Sequence, residues 1–399
     1  MKIIKDILRA LMLVYKRILY KIACARTKVD DKTIFFESFQ GRSFSCSPKA
    51  IFEEMRDSGE YADYEFVWGL RDAKVHNFRK IMKKLSAPDG STGGATITIH
   101  KYETYRYYKT LAKAKYWIMN SNVRPFLKPR KNQVYIQTWH GTPLKRIGLD
   151  VPGSDLDYAK EGKKFSYMIS PSKYCTDKYI SAFGLQGRED IILETGYPRN
   201  DALFTFDQAK VNSILRELDV PRGKKIILYA PTFRDNKHSQ VSGYENASGI
   251  DFDKLREQLG NEYIILFRAH YFVAKNMDFA KYKDFIIDVS DYEDVNDLYI
   301  ISDMLITDYS SVFFDYANLK RPIIFYMYDY EDYKENARDF YLDETELPGP
   351  ITKTQKELVQ EINNTLYFIP GARYSMFNQK FNHLDGINCG LNVARKIIK

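Results

Sequence analysis

A series of apolar, strand-like runs alternating with helical stretches occupies the first half of the chain and then begins again, and this pattern limits the fold more than any other feature. Strands separated by helices are typical of parallel sheets covered by helices. Two such series of similar size predict an α/β fold with two Rossmann-like domains facing each other across a cleft. The first series lies at 33–39, 64–70, 115–122, 134–139, 167–172 and 191–198, and the second at 225–232, 263–270, 285–290, 303–311 and 322–329.

The length of 399 residues also favours two domains, because one hydrophobic core rarely organises more than about 250–300 residues. We expect an N-terminal segment at 1–28, a first domain at 29–205 and a second at 206–399, whose last helix is a candidate to pack back on the first domain. Within the first domain, 47–57 is typical of a helix capped by Ser47. The stretch 238–249, rich in Ser, Gly and Asn, is typical of a mobile loop.

Residues 1–28 carry almost all of the net charge. They hold eight Lys or Arg and one acid, which accounts for +7 of the formal +8. Their apolar residues recur at helical spacing, and no run reaches the ~18 apolar residues that span a bilayer. The segment therefore predicts a basic amphipathic helix lying on an anionic membrane. The alternative is a terminal helix that packs on its own domain and leaves its lysines in solvent.

Other features exclude several classes of protein. The four cysteines have no metal-ligand spacing, which favours a reducing compartment and no structural metal. We expect no secretory signal, because the N-terminus lacks an uninterrupted apolar core and a small-residue cleavage site. Nucleic-acid binding is not expected, because the positive charge is confined to one apolar-faced helix.

The most polar strand end is QTWHGTPLKR, residues 137–146. His140 follows an apolar strand, and Gly141 allows a sharp turn and the close approach of a ligand. We expect Thr142 and Pro143 to begin a helix whose free N–H groups attract anions. An imidazole, a helix start and two cations suit proton transfer beside a phosphate. The candidate acceptor-binding residues here are Gly141, Thr142, Lys145 and Arg146; a plain capping turn is the alternative.

Three further strand ends carry candidate residues for a diphosphate donor. Arg268 and His270 can bind phosphate and donate a proton. Two adjacent hydroxyls, Ser310 and Ser311, open a predicted helix that runs toward Lys320, and helix N-termini attract phosphates. The remaining candidates at these ends are Asp308, Tyr309, Thr232, Arg234 and Asp235.

Seven segments in order resemble the CDP-glycerol glycerophosphotransferase family, the teichoic acid primases and polymerases of Gram-positive bacteria. The match extends from about residue 33 to about residue 350, and its segments are WHGTPLKRIG, ILETGYPRND, YAPTFRD, RAHY, VSDYEDVNDLY, DMLITDYSSVFFDYANLKRPIIFY and ELPGPI. The resemblance implies a GT-B arrangement and a peripheral location at the cytoplasmic face of the bacterial cell membrane. It implies transfer of polyol phosphate from a CDP-activated donor to a lipid-linked acceptor. We expect CDP-glycerol as the donor, a polyprenyl-diphosphate-linked glycerol phosphate as the acceptor, and release of CMP.

The resemblance also implies that His140 and His270 are essential and that the donor phosphates lie near His270, Ser310 and Ser311. On chemical grounds His140 is our candidate base for the acceptor hydroxyl. Asp308 orients either a histidine or a ribose hydroxyl. No metal site is predicted, and the need for a divalent metal stays open, as does the role of the acids in 290–297.

The sequence leaves other readings open. The donor is CDP-glycerol or CDP-ribitol, and the product is a primer or a polymer. A GT-B glycosyltransferase that uses a sugar nucleotide shares the architecture, and a non-catalytic scaffold of an envelope-synthesis complex remains a further reading.

Overall fold

The computed structural model describes residues 2–71, 94–154, 157–232, 249–269, 279–331 and 340–399. The chain divides into two compact units. The first unit contains residues up to His140, Gly148–Asp201 and Leu384–Lys399. The second contains Gly141–Ile147 and Ala202–His383. The chain therefore passes between the units more than once.

A parallel sheet of seven strands forms the centre of the first unit in the described residues, in the order β3-β2-β1-β4-β5-β6-β7. The first six strands follow the order of a Rossmann half, in which the chain reverses direction across the sheet between β1 and β4. The strands are β1 Asp30–Glu37, β2 Glu65–Leu70, β3 Thr96–Lys101, β4 Ala114–Met119, β5 Val134–Gln137, β6 Tyr167–Ser170 and β7 Ile192–Glu194.

Both faces of this sheet are buried. Ile34 and Phe36 of β1 face a core cluster that includes Phe66 and Trp68, and the Phe36 and Trp68 rings stack with centroids 5.4 Å apart. Phe35 points to the other face and meets the edge of the Tyr107 ring. This explains the near-continuous apolar runs of the sequence, because strands covered on both sides have no solvent face to make polar.

The second unit repeats the arrangement with six parallel strands in the described residues, in the order β10-β9-β8-β11-β12-β13. The order again matches a Rossmann half, with the reversal between β8 and β11. Ile227, Ile265 and Ile306 belong to one core cluster on this sheet. The strands are β8 Lys225–Ala230, β9 Tyr263–Phe267, β10 Ile286–Asp288, β11 Met304–Thr307, β12 Ile323–Tyr326 and β13 Ile351–Thr352.

Helices connect the strands in both units. One of them follows Asp207, whose side chain caps it by accepting a hydrogen bond from the Lys210 N–H. They are α1 Lys2–Arg26, α2 Cys46–Ser58, α3 Tyr105–Lys113, α4 Asp157–Gly162, α5 Lys173–Phe183, α6 Ala202–Thr205, α7 Gln208–Glu217, α8 Phe252–Leu259, α9 Val295–Ile301, α10 Val312–Tyr316, α11 Gln355–Asn364, α12 Ala372–Phe381 and α13 Cys389–Ile397.

The predicted start of α2 was wrong by two residues. Ser45 occupies the N-cap position without a side-chain capping bond, and Ser47 lies inside the helix, two residues after the N-cap. The last helix, α13, contributes Val393, Ala394 and Ile397 to the core of the first unit. Of the predicted loop at 238–249, residues up to 248 lie outside the described part of the chain.

The two halves of α1 have different surroundings. Residues 4–15 are exposed, whereas Tyr20 and Ala23 are buried. The Lys16 ammonium lies 2.5 Å from Glu103, and the Tyr20 hydroxyl donates to the Lys128 main-chain oxygen at 2.7 Å. In the described residues, no helix combines the length and the apolar character needed to cross a membrane.

Candidate active site

The carboxyl ends of β1 and β4 lie side by side where the first sheet reverses its direction, which is the usual ligand-binding position in such sheets. A tight turn follows β1, and Phe39 and Gln40 adopt left-handed φ values of 50° and 56° there. The Phe39 N–H donates to Asn120 Oδ1 at 2.7 Å. Asn120 follows β4 directly and is fully buried. Its side chain therefore fixes the turn at the carboxyl end of β1.

His140 joins this corner from the end of β5. Its Nδ1 lies 2.6 Å from the main-chain oxygen of Asn120. A carbonyl oxygen only accepts hydrogen bonds, so Nδ1 carries the proton and Nε2 of the neutral ring carries the free lone pair. The ring also lies against those of Phe39 and Trp139, at centroid distances of 5.6 and 4.2 Å. The structure thus holds His140 in the tautomer that accepts a proton at Nε2.

The environment of His140 favours the neutral ring. Part of the residue reaches solvent, yet the burial of the ring is the main cause that lowers its pKa, to about 4. The hydrogen bond to Asn120 opposes this shift, and the Arg199 cation adds to it. The ring is therefore neutral near pH 7 and is able to take up a proton.

The segment that follows His140 differs from the prediction. We expected a helix from Thr142 and Pro143, but residues 142–147 form none, and the next helical turn is Gly148–Asp150. The segment instead pairs by its main chain with residues 340 and 341: the Tyr341 N–H donates to the Leu144 oxygen at 2.8 Å. These bonds fix the backbone in place of a helix.

This pairing decides where the candidate residues of the segment lie. Gly141 and Thr142 are buried, and Lys145 and Arg146 are half-buried. Lys145 forms a β-bridge with Phe340, whose ring lies 5.9 Å from that of Tyr309. All four candidate acceptor-binding residues thus belong to the second unit, whereas His140 belongs to the first.

The ends of β8 and β11 meet at the reversal point of the second sheet. Asp308 is buried, and its Oδ1 accepts hydrogen bonds from the N–H groups of Thr232 at 2.8 Å and Tyr309 at 2.6 Å. The Tyr309 hydroxyl donates to Asp329 at 3.3 Å. In the described structure the Asp308 carboxylate therefore ties the two strand ends together.

Ser310 and Ser311 open α10, as the sequence predicts. Ser311 stands at the N-cap position, yet its side chain makes no capping hydrogen bond. Both residues are only partly buried. Capping therefore does not account for Ser311, and the hydroxyl remains available to a ligand.

Arg268 follows β9, but its guanidinium turns to the protein backbone. Nη1 donates to the main-chain oxygens of Val289 at 3.0 Å and Tyr292 at 2.7 Å. Burial lowers the pKa of this group, while the carboxylates of Asp294 and Asp291 raise it. His270, Arg234 and Asp235 lie outside the described residues.

Some acids of 290–297 have structural roles. Asp294 caps α9 by accepting a hydrogen bond from the Asn296 N–H, and Asp297 pairs with Lys210 at 2.8 Å. No group of His, Cys, Asp and Glu able to hold a metal ion occurs in the described part of the chain. Asn120, which binds His140, and Arg199, whose charge helps to lower the pKa of His140, were missed, although Asn120 stands at a predicted strand end and Arg199 in the quoted motif ILETGYPRND.

The family follows from comparison with known proteins. A family model described as CDP-Glycerol:Poly(glycerophosphate) glycerophosphotransferase matches residues 18–399. The chain belongs to this family. The predicted resemblance is therefore confirmed.

Individual relatives agree with this assignment. A teichoic acid poly(glycerol phosphate) polymerase of Bacillus subtilis (strain 168) is 37% identical over 390 residues, which cover 94% of this chain and 50% of the relative. The chain thus spans half the length of that polymerase. A teichoic acid glycerol-phosphate transferase of Staphylococcus aureus (strain NCTC 8325 / PS 47) is 37% identical, with 92% of each chain covered.

A solved structure of the wall teichoic acid polymerase TagF, in a variant soaked with CDPG, has a TM-score of 0.84 to this structure. It is 35% identical, and the match covers 98% of this chain and 95% of that one. The predicted α/β fold of the GT-B class is confirmed by this likeness.

Proposed function

We propose that the protein transfers glycerol phosphate from CDP-glycerol to the terminal glycerol phosphate of a polyprenyl-diphosphate-linked acceptor and releases CMP. The family match over residues 18–399 carries this proposal. The acceptor hydroxyl forms a new P–O bond at the β-phosphorus of CDP-glycerol, and the P–O bond to CMP breaks. The hydroxyl proton passes to a base, because an alcohol is a poor nucleophile near neutral pH.

His140 is the proposed base. Its Nδ1–H bond to the Asn120 oxygen leaves the Nε2 lone pair for the acceptor hydroxyl. Its low pKa keeps the ring neutral at cellular pH, so every molecule is ready to accept a proton. An anionic substrate beside the ring would raise this pKa and strengthen the base as the reaction begins.

The donor diphosphate is proposed to bind at the carboxyl ends of β8 and β11. The hydroxyl of Ser311 makes no capping bond, and both Ser310 and Ser311 are partly exposed. Phosphoryl transfer proceeds through positioning and charge stabilisation, which cations and N–H donors supply. His270, Arg234 and Thr232 complete the proposed donor-binding set. Arg268 is left out of it, because its guanidinium binds the main-chain oxygens of Val289 and Tyr292. Lys145 and Arg146 add positive charge for the anionic acceptor.

We further propose that the exposed half of α1 binds the surface of an anionic membrane, where a lipid-linked acceptor resides. Ile7, Leu8 and Leu11 are 54–60% exposed, which is unusual for large apolar side chains. Lys5 and Arg9 lie on the same exposed stretch and suit anionic lipid, at about 1 kcal/mol for each cation near the surface. The half of α1 that carries Lys16 and Tyr20 ties the helix to the first unit.

The membrane proposal is tested by sedimentation with vesicles. The double variant Leu8→Gln and Leu11→Gln should lose binding to vesicles that contain anionic lipid, while turnover of a water-soluble acceptor stays unchanged. Ile369→Gln is the matched control, because Ile369 is 83% exposed in the second unit. Equal binding of the Leu8/Leu11 variant and the control would contradict the proposal.

The reaction is tested by CMP release from CDP-glycerol and from CDP-ribitol, with a lipid-linked glycerol phosphate acceptor. Acceptor-dependent CMP from CDP-glycerol that is lost in His140→Ala supports both the reaction and the base. His383→Ala is the control, since His383 is exposed and lies outside the proposed site. CMP from CDP-ribitol alone would reassign the donor. Release of a nucleoside diphosphate from a sugar nucleotide would indicate a glycosyltransferase, and full activity of His140→Ala would exclude the proposed base.

A further inference from the structure

A chain of buried side chains lies beneath the turn that carries His140, and it begins at Gln137, the last residue of β5. Gln137 Oε1 accepts a hydrogen bond from the Trp139 N–H at 3.0 Å, and its Nε2 donates to the Tyr135 hydroxyl at 3.1 Å. The residue is fully buried. Both ends of the amide are engaged, so its orientation is fixed: oxygen toward Trp139, nitrogen toward Tyr135.

The chain continues from Tyr135 to Glu161. The Tyr135 hydroxyl donates to Glu161 Oε1 at 3.2 Å. The same oxygen accepts a hydrogen bond from the Val123 N–H at 3.0 Å, while Oε2 accepts one from Lys164 Nζ at 2.6 Å. The side chains of Lys164 and Glu161 are only 8% and 5% exposed. A buried ion pair with these extra hydrogen bonds is rigid, because breaking any part leaves an uncompensated polar group.

This chain of bonds holds both partners of the His140 hydrogen bond. On one side it binds the N–H of Trp139, which precedes His140 and has a left-handed φ of 51°. Such a backbone is unfavourable for a bulky residue and persists only where its surroundings enforce it. On the other side Glu161 binds Val123, three residues after Asn120. The segments that carry the donor and the acceptor of the 2.6 Å bond are thus linked through Glu161, directly at Val123 and by way of Tyr135 and Gln137 at Trp139.

We propose that Gln137, Tyr135 and Glu161 are positioning residues, which hold His140 against Asn120 so that Nδ1 keeps the proton and Nε2 faces the acceptor hydroxyl. The catalytic consequence rests on the function proposed above; the effect on the ring does not. Without the network Trp139 relaxes toward an ordinary backbone conformation, the ring leaves the Asn120 oxygen, and the preference between the two tautomers is lost.

The alternative is a brace that stabilises the sheet and does not act on His140. A mild substitution in the network distinguishes the structural role from the positioning role, because the two roles change different measured quantities. A brace affects the free energy of unfolding alone. A positioning network alters the tautomer and pKa of one imidazole and lowers kcat, with little change in KM, because misplacement of a catalytic group by about 1 Å costs up to about 100-fold in rate.

The test is Tyr135→Phe, which removes the link between Gln137 and Glu161 and leaves the ring in place. The full-length protein, labelled with ¹⁵N in histidine, is titrated by NMR without substrate, and the His140 signals are assigned with His140→Gln. Tyr116→Phe is the matched control, because its hydroxyl bonds to the Lys399 oxygen and it lies on β4 of the same sheet. Gln137→Met serves as a second variant, because it removes both hydrogen bonds of the amide without adding a charge, and it carries the test if Tyr135→Phe does not fold.

We expect wild type and Tyr116→Phe to show a protonated Nδ1 and a pKa near 4. In Tyr135→Phe and Gln137→Met the Nδ1–H signal should weaken, the Nε2–H tautomer should appear, and kcat should fall by about 10- to 100-fold. Unchanged His140 signals in both variants would overturn the proposal, whatever their activity. Altered signals in a protein that transfers no glycerol phosphate would support the positioning network and contradict the proposed function.

Discussion

Asp201 and Glu54 form a hydrogen-bonded carboxyl pair beneath the last helix of the first unit. Asp201 Oδ2 accepts a hydrogen bond from the Gly390 N–H at 3.1 Å, and Glu54 Oε2 accepts one from the Leu391 N–H at 2.6 Å. Burial and the nearby Glu54 raise the pKa of Asp201 to about 9. The pair thus holds α13 while Asp201 carries a proton.

This pair predicts a loss of stability in alkali. The pKa of Asp201 in the folded state lies above its ordinary value of 3.8, so its contribution is largest below that value and falls as the pH rises toward 9. Asp201→Asn keeps an acceptor for Gly390 and a donor for Glu54 without a titration. We expect the Tm difference, Asp201→Asn minus wild type, to grow between about pH 4 and pH 9 and to level off above pH 9. Parallel Tm curves for the two proteins would contradict this prediction.

An alanine at Gly196 should destabilise the fold by steric overlap, and the same substitution at Gly187 is the matched control. A Cβ at Gly196 would lie 2.3 Å from the Leu384 oxygen and 2.9 Å from Cys389 Sγ, whereas a Cβ at Gly187 meets nothing within 4 Å. Both glycines are left-handed, with φ of 78° and 77°. Gly187→Ala should cost about 1–2 kcal/mol for the backbone alone. Gly196→Ala should cost about 1–3 kcal/mol more, in the free energy of unfolding by denaturant. Equal losses would show that the chain yields at Leu384.

Arg199 should tune His140. It is 9% exposed, its guanidinium lies over the Tyr197 ring at 4.6 Å, and its charge adds to the burial that lowers the pKa of His140. Arg199→Met should therefore raise the pKa of His140, while Arg199→Lys should leave it low. The measurement is an NMR titration of the His140 ring in the free protein. An equal His140 pKa in Arg199→Met and Arg199→Lys would exclude a role for the charge of residue 199.

Ser311 should matter for the donor and not for folding. Loss of an N-cap hydroxyl usually costs about 0.5–2 kcal/mol, but the Ser311 side chain makes no capping bond. Ser311→Ala should therefore change the free energy of unfolding by less than about 0.5 kcal/mol and raise the KM for CDP-glycerol. Asp207→Ala is a control in the same unit, because Asp207 does cap its helix and should show the full stability loss. An unchanged KM would remove Ser311 from the proposed donor site.

Asp308 is expected to act through the backbone. Its Oδ1 accepts hydrogen bonds from the N–H groups of both Thr232 and Tyr309. Asp308→Asn keeps that oxygen and should retain the fold and most of the donor affinity, whereas Asp308→Ala should cost about 1–3 kcal/mol of stability by leaving buried N–H groups unpaired. A large rise in the donor KM for Asp308→Asn with normal stability would instead indicate a direct contact of the carboxylate with the donor.

The sequence was sufficient for the two sheets because their strands are buried on both faces and give long apolar runs. β3 was missed although its Thr-Ile-Thr-Ile alternation is a strand pattern, and β13 has two residues and too little pattern to recognise. The helix expected at Thr142 was wrong, since Leu144 and Lys145 pair by their main chain with Tyr341 and Phe340. Contacts between residues so far apart in the chain leave no local signal.

The same distinction applies to the candidate site. His140 was found because a histidine, a glycine and two cations stand together in the sequence. Asn120 lies twenty residues away, and its role depends on the order β1-β4-β5, which the sequence pattern does not specify. Glu161 lies further still, on α4. Sequence motifs identified a reactive group, whereas its supporting contacts required the sheet topology.

The return of α13 to the first unit has a consequence for synthesis on the ribosome. Val393, Ala394 and Ile397 complete a core whose other members include Ile34, Phe52 and Trp68, so the two parts are made more than three hundred residues apart. The second unit is translated in full between them. The nascent first unit must therefore keep an apolar surface exposed until α13 has been synthesised. During that time chaperones or the membrane surface are able to bind this apolar surface.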